Sequence, residues 1–194
     1  MDILGPVLTF APELLLRAQG SDLGMKVAVF DVDGVLTDGR ILVGEHGEVL
    51  KPFSTLDGYG IRLLKRSGIV PVVVTGRDSA ALRRRIGELG IEHAAYGVDD
   101  KLPVTEALLQ TLGVAWCDVA AIGDDWPDLP VLGRAALACA PPQAHAEVRA
   151  RVDHVTSAPA GLGAAREFCD LLLVAGGHYG RRLEEVIRAP EGPG

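Results

Sequence analysis

The run Ile69–Val74, IVPVVV, constrains the fold more than any other stretch of this chain. Its residues are apolar and mostly β-branched, with no polar alternation. That pattern belongs to a strand buried on both faces, as in a parallel sheet. Val27–Phe30 and Val119–Ile122 are shorter runs of the same kind. Segments of helical length lie between and after them: Ser79–Leu89 before Gly90, Pro103–Leu112 before Gly113, and Ala164–Leu173. Strands alternating with helices through short loops predict an α/β fold with a mostly parallel sheet and helices on both faces. Glu92–Tyr96, Ala135–Ala140 and His154–Thr156 complete the expected strands. Pro12–Arg17, Ile61–Ser67 (after a turn at Asp57-Gly58) and Asp128–Leu132 complete the expected helices.

One segment departs from the alternation. Residues 40–53 read as a β-hairpin turning at Glu45-His46-Gly47. A hairpin alone is marginal in water, so Val43, Leu50 and Phe53 are expected to lean on the domain, with a second subunit supplying part of the surface. The organisation expected is an N-terminal extension over 1–24, one domain over 25–175, and a polar tail over 176–194.

Ligands of such sheets bind beyond the carboxyl ends of the strands. Asp31, Thr75 and Asp124 each stand directly after an expected strand, and Lys101 follows one within a few residues. Asp31 is the first acid of a D-x-D pair with Asp33. Two carboxylates at the mouth of a buried strand are costly unless something pairs with them, and a divalent cation with a phosphate ester would do so.

Charge narrows the partners. A net charge of −7 and a pI near 5.2 disfavour general nucleic-acid binding, so an anionic ligand has to be attracted locally. Cys117, Cys139 and Cys169 are widely spaced; neither a zinc site nor a disulfide framework is expected, and three buried thiols in a reducing cytoplasm fit. No apolar run reaches membrane-spanning length, and the apolar start Ile3–Phe10 lacks the basic flank of a signal peptide. None of the histidines has ligand spacing, and Trp116 and Trp126 are expected to pack.

DVDGVLTDG, TGR, DK and GDDWPD, in this order and at these intervals, resemble the four motifs of the haloacid dehalogenase (HAD) superfamily of phosphatases. The stretches LTDGRILVGEHGEVLKPFSTLDGYGIR, TGRDSAALRRR, GVDDK and GLGAAREFCDLLL resemble the branch that hydrolyses 3-deoxy-D-manno-octulosonate 8-phosphate (KDO 8-phosphate). The likeness spans roughly Met25 to Leu173. It implies a Rossmann-like HAD fold in which the hairpin replaces a cap domain. It also implies a Mg²⁺-dependent phosphoric monoester hydrolase of lipopolysaccharide precursor synthesis, cytoplasmic, in a Gram-negative bacterium.

Each motif residue then has an expected role. Asp31 is the nucleophile that forms an aspartyl-phosphate, because a carboxylate can split a slow hydrolysis into two steps. Asp33 is the acid and then the base. Lys101 neutralises a phosphoryl oxygen and restrains Asp31, and the Thr75 hydroxyl holds another oxygen. Asp31, Asp124 and the Asp33 carbonyl are the implied Mg²⁺ ligands, with Asp125 and Asp128 in support. Substrate contacts carried over from the family fall on Asp33, Ser54, Thr55, Leu56, Asp57, Gly58, Arg62, Gly76, Arg77, Arg85 and Lys101. Arginine suits a sugar acid because guanidinium pairs with carboxylate in bidentate fashion. The resemblance further implies a homotetramer assembled through the hairpins. A phosphatase for a nine-carbon sugar acid 9-phosphate is the enzyme alternative. A non-catalytic HAD-fold module is the alternative of another class, and the intact motif set speaks against it.

Overall fold

A computed structural model describes residues 8–21, 24–45 and 47–188. The expected extension therefore lies partly outside the described residues, as do the hairpin-turn residue His46 and the end of the expected tail. The described elements run α1 (Pro12–Arg17), β1 (Val27–Phe30), β2 (Leu42–Gly44), β3 (Gly47–Leu50), α2 (Thr55–Arg66), β4 (Val70–Val74), α3 (Ala80–Leu89) and β5 (His93–Ala95). They continue with α4 (Lys101–Leu112), β6 (Val119–Ile122), α5 (Leu129–Leu132), β7 (Leu137–Ala140), α6 (Ala146–Arg149), β8 (His154–Val155), α7 (Ala164–Ala175) and α8 (Tyr179–Ile187).

Six strands pair in the order β5-β4-β1-β6-β7-β8, every pair parallel. This is the doubly wound order, in which the chain moves outward on one side of β1 and then on the other. The apolar runs are two-faced, as the lack of alternation requires. Ala28, Phe30, Val73 and Ile122 pack with α2, α3 and α7 on one face, where the Phe30 and Phe168 rings meet edge to face at 5.4 Å. Such a ring pair is worth about 0.5–1.5 kcal/mol beyond its buried area. Val27, Val29, Val72, Val74 and Ala121 pack on the other face with Leu109 of α4, Val131 and Leu132 of α5, and Val148 of α6. The switch in strand order falls between β1 and β6, directly beneath Asp31 and Asp124.

Several expectations are corrected. The turn at Asp57-Gly58 is the first turn of α2, because Ser54 Oγ accepts from the backbone N–H groups of Leu56 (3.2 Å) and Asp57 (3.5 Å) and starts the helix early. Likewise α4 starts at Lys101 rather than Pro103, since Asp100 Oδ1 accepts from Leu102 N at 3.3 Å. The tail is not featureless: Tyr179, Leu183 and Val186 of α8 line a crevice with Tyr59, Leu63 and Leu173, and Arg182 binds Ser67 Oγ at 3.0 Å. Part of the extension also packs, with Leu14 of α1 in the core. Cys117 is exposed, unlike Cys139 and Cys169. Trp126 stays out of the core: it is 60% exposed, its ring meets His145 edge to face, and its Nε1 donates to His145 Nδ1 at 3.0 Å. His145 also caps the unforeseen helix α6.

The hairpin β2–β3 overturns the simplest amphipathic reading. Val43 is 73% and Leu50 58% exposed, and of the expected apolar contacts only Phe53 packs on the core. Lys51, by contrast, is 7% exposed. The side of the hairpin that meets the domain is therefore charged, and its apolar residues face outward.

Candidate active site

Phe30 ends β1, and Asp31 follows with its backbone N–H donating to the Ile122 carbonyl at 3.1 Å. That bond fixes Asp31 against the end of β6, so its carboxylate leaves the sheet beside Asp124. Lys101, first residue of α4, reaches back with Nζ 2.6 Å from Asp31 Oδ1 and 2.7 Å from Asp128 Oδ1. Asp128 Oδ2 accepts from Asp124 N at 2.9 Å and Asp125 N at 3.2 Å, closing a capping box with Asp125 over the short 3₁₀ turn Trp126–Asp128. A lysine in this sequence context would ordinarily be solvated; here Lys101 is buried between two carboxylates.

Gly34 shapes the same corner. Its φ is +95°, and a Cβ there would overlap the Asp124 carboxylate. Only glycine meets both demands. Thr75, buried after β4, donates its N–H to the Ala95 carbonyl at 3.0 Å, and its Oγ1 accepts from Arg77 N at 3.5 Å.

Asp31, Asp33, Thr75, Gly76, Arg77, Lys101, Asp124, Asp125 and Asp128 line one cavity of about 410 Å³, together with Asp99 and Pro127. Carboxylate oxygens of Asp31, Asp124 and Asp128 come within 4.8 Å of one another. Their charges are not balanced by Lys101. Burial, with Asp128 adding to it, pushes the Asp31 carboxyl up to about 7 although Lys101 pulls it down. Burial and the charges of Asp31, Asp128 and Asp125 push Asp124 to about 8. Lys101 is itself driven upward: burial opposes its charge, and Asp31 and Asp128 more than offset that. A buried cluster with surplus negative charge and hard oxygen donors fits a divalent cation.

The remaining expected contacts form a second group outside the cavity lining. Ser54 caps α2, with Thr55 and Leu56 exposed in its first turn. Gly58 lies under the Arg85 guanidinium, where a Cβ would clash, and Arg85 Nη2 donates to the Ser54 carbonyl at 3.2 Å. Asp57 is buried, and its Oδ1 accepts from Arg166 N at 2.8 Å near the start of α7. Arg62 stands exposed on α2. Within one chain, then, Arg77 reaches the cavity, whereas Arg62 and Arg85 do not line it.

Sequence reasoning missed Lys51 and Glu48. Lys51 Nζ forms an ion pair with Asp33 Oδ1 and lies 3.6 Å from Glu48 Oε2, which is 3.4 Å from Arg77 Nη2. Burial works to raise the Glu48 carboxyl, but the Ser79 hydroxyl and the charges of Lys51 and Arg77 hold it below its ordinary value. The available signal was Lys51 itself, a charge between Leu50 and Pro52 in an otherwise apolar stretch.

No family model matches the sequence. The chain is 41% identical over 173 residues to the 3-deoxy-D-manno-octulosonate 8-phosphate phosphatase KdsC of Salmonella typhimurium, covering 89% of this chain and 88% of the relative. It is 43% identical, with the same coverage, to KdsC of Escherichia coli K12. Among solved structures, a probable YrbI family phosphatase from Pseudomonas syringae superposes with a TM-score of 0.88 at 43% identity, covering 92% of this chain and 99% of that one. The 3-deoxy-D-manno-octulosonate 8-phosphate phosphatase of Moraxella catarrhalis, solved in complex with a magnesium ion, a phosphate ion and KDO, superposes with a TM-score of 0.86 at 37% identity, covering 91% and 99%.

Proposed function

The chain belongs to the 3-deoxy-D-manno-octulosonate 8-phosphate phosphatases of the HAD superfamily, and we propose that it hydrolyses KDO 8-phosphate to KDO and phosphate with Mg²⁺, in lipopolysaccharide precursor synthesis. The observation that supports this reading is the convergence of Asp31, Asp33, Thr75, Lys101 and Asp124 on one cavity at the switch in strand order.

Asp31 Oδ attacks phosphorus in line with the leaving oxygen and forms an aspartyl-phosphate, while Asp33 delivers a proton to the departing alkoxide. Asp33, now a carboxylate, takes a proton from water, which attacks the acyl phosphate and regenerates Asp31. Lys101 holds Asp31 in line and offsets charge on the phosphoryl group, and Thr75 Oγ1 donates to another phosphoryl oxygen. Asp31, Asp124 and the Asp33 carbonyl would hold the metal. Asp128 has both oxygens engaged by Lys101 and the amides of Asp124 and Asp125, so it positions these groups. When bound, Mg²⁺ supplies the positive charge that lets a phosphate approach these carboxylates and polarises a phosphoryl oxygen.

Arg77 contacts the sugar acid from inside the cavity. Ser54 to Gly58, Arg62 and Arg85 contribute from the second group, and a homotetramer joined through the hairpins brings the two groups together across subunits. The exposed Val43, Val49 and Leu50 are the apolar surface available for that assembly.

The test is phosphate release from KDO 8-phosphate and from a nine-carbon sugar acid 9-phosphate, with Mg²⁺ or EDTA, in wild type and Asp31→Asn. The expected outcome is Mg²⁺-dependent turnover that favours the eight-carbon substrate and is abolished in the variant. Turnover indifferent to metal or to Asp31→Asn would overturn the reading.

A further inference from the structure

The proposed chemistry needs Asp33 to present one defined oxygen to the leaving group, yet an aspartate on a loop can rotate and offer either. Two residues restrict it. Lys51 Nζ holds Asp33 Oδ1 in an ion pair, and the Thr37 hydroxyl lies 3.5 Å from the same oxygen. Asp33 Oδ2 is buried and has no hydrogen-bond partner among the described residues. Lys51 is itself held: its side chain is buried, and Glu48, three residues earlier on β3, faces it. Glu48 also faces Arg77, which lines the cavity.

A buried lysine on a two-stranded hairpin is an expensive arrangement. Desolvating a charge is costly before pairing returns any of it. An apolar residue at this position would seat the hairpin on the domain with less cost, and the hairpin instead turns its apolar residues outward. The burial is therefore explained by what Lys51 touches rather than by the stability of the hairpin.

Resting on the reading of Asp33 as proton donor, we infer that Lys51 is a positioning residue for the reaction. It holds the Asp33 carboxyl by Oδ1 and so fixes the orientation from which Asp33 gives its proton to the leaving group. Glu48 orients Lys51 and links it to Arg77, so one charge chain, Arg77–Glu48–Lys51–Asp33, joins a residue of the substrate cavity to the proton donor. The hairpin thus acts within its own subunit on the chemical step. The bonds involved balance simply: the P–O bond breaks with its electron pair on the leaving oxygen, and the Asp33 proton passes to that oxygen.

Leaving groups separate this role from a structural one. An alkyl phosphate such as KDO 8-phosphate needs a proton for its alkoxide, whereas p-nitrophenyl phosphate releases a stable phenolate without one. Single-turnover leaving-group release, with the full-length enzyme in excess and Mg²⁺ saturating, is measured on both substrates for wild type, Lys51→Met, Glu48→Gln and Asp33→Asn. The ratio of the two rates is independent of how much of a variant is folded, because both rates scale with the active fraction.

Lys51→Met is expected to slow the alkyl substrate by about 10²-fold, the low end of what general acid catalysis contributes, and p-nitrophenyl phosphate far less. Glu48→Gln shifts the ratio in the same direction by less, and Lys51→Arg restores part of it. An equal loss on both substrates in Lys51→Met, or no loss, overturns the inference while Asp33→Asn still discriminates between the leaving groups. If Asp33→Asn fails to discriminate, the reading of Asp33 is wrong and the inference falls with it.

Discussion

Strands β1 and β6 lie side by side, and the two ends of the pair treat charge differently. At their amino ends, Lys26 Nζ sits 2.7 Å from Asp118 Oδ2, and Asp118 Oδ1 accepts from the Ser21 backbone N–H and hydroxyl at 2.8 and 2.6 Å. These hydrogen bonds, that from Lys26 foremost, hold the Asp118 carboxyl down at about 2. At the carboxyl ends, one lysine is shared by Asp31 and Asp128, and Asp31 and Asp124 are pushed up to about 7 and 8. The amino end is a closed account of donors and acceptors. The carboxyl end is left short of positive charge, a deficit that a divalent cation would fill.

The comparison breaks most sharply in activity. Asp31→Asn should lower turnover by about 10⁴-fold, the scale seen when a group acting as part of a catalytic unit is removed. Asp118→Asn should leave kcat within about twofold, as expected of a structural residue away from the site. A comparable loss of kcat in both would mean the two ends are not functionally separate.

Metal binding is the next largest effect. Mg²⁺ at about 100 times its Kd should stabilise wild type and Asp118→Asn alike by about 2–3 kcal/mol in urea unfolding. Asp124→Asn should lose that response. Without metal the two ends should then respond in opposite directions. Asp118→Asn should cost about 1–3 kcal/mol, the usual range for a buried charge-assisted hydrogen bond. Asp124→Asn should gain about 0.5–2 kcal/mol by relieving repulsion in the site.

The smallest effect is in the pH dependence of metal-free stability. Asp31 and Asp124 keep protons in the folded state that the unfolded chain, titrating near 3.8, has lost. Their contribution therefore falls as pH rises from about 4 to about 8. Asp118 has the opposite sign: its contribution is present above about 4 and is lost as pH falls toward 2. Asp124→Asn should flatten the upper slope and leave the acid limb unchanged.

How much of this was legible in the sequence follows from how local each signal is. The parallel sheet was, because strands buried on both faces carry unbroken apolar runs, and Ile69–Val74 is one. The core of the site was, because the fold puts residues after such strands on one rim; Asp31, Thr75 and Asp124 are there. The start of α2 was not, since Asp57-Gly58 reads as a turn until the Ser54 cap and the packing of α2 on α7 are seen. Helix α8 was masked by the polar composition around it, although Tyr179, Leu183 and Val186 share a face. Lys51 was least legible of all. Its partner Asp33 lies 18 residues away, and the rule that apolar residues point inward assigns Leu50 to the interior and Lys51 to solvent.

The brevity of the outer strands has a consequence for self-association. The sheet ends in β5 and β8, of 3 and 2 residues, so an incoming strand finds few free backbone groups to pair with. Growth edge to edge is thus disfavoured at β5 and at β8. The exposed hairpin, with Val49 69% accessible beside Val43, concentrates apolar surface away from those edges. In the assembly proposed through the hairpins, copies of this chain would meet at a short, defined ribbon rather than edge to edge.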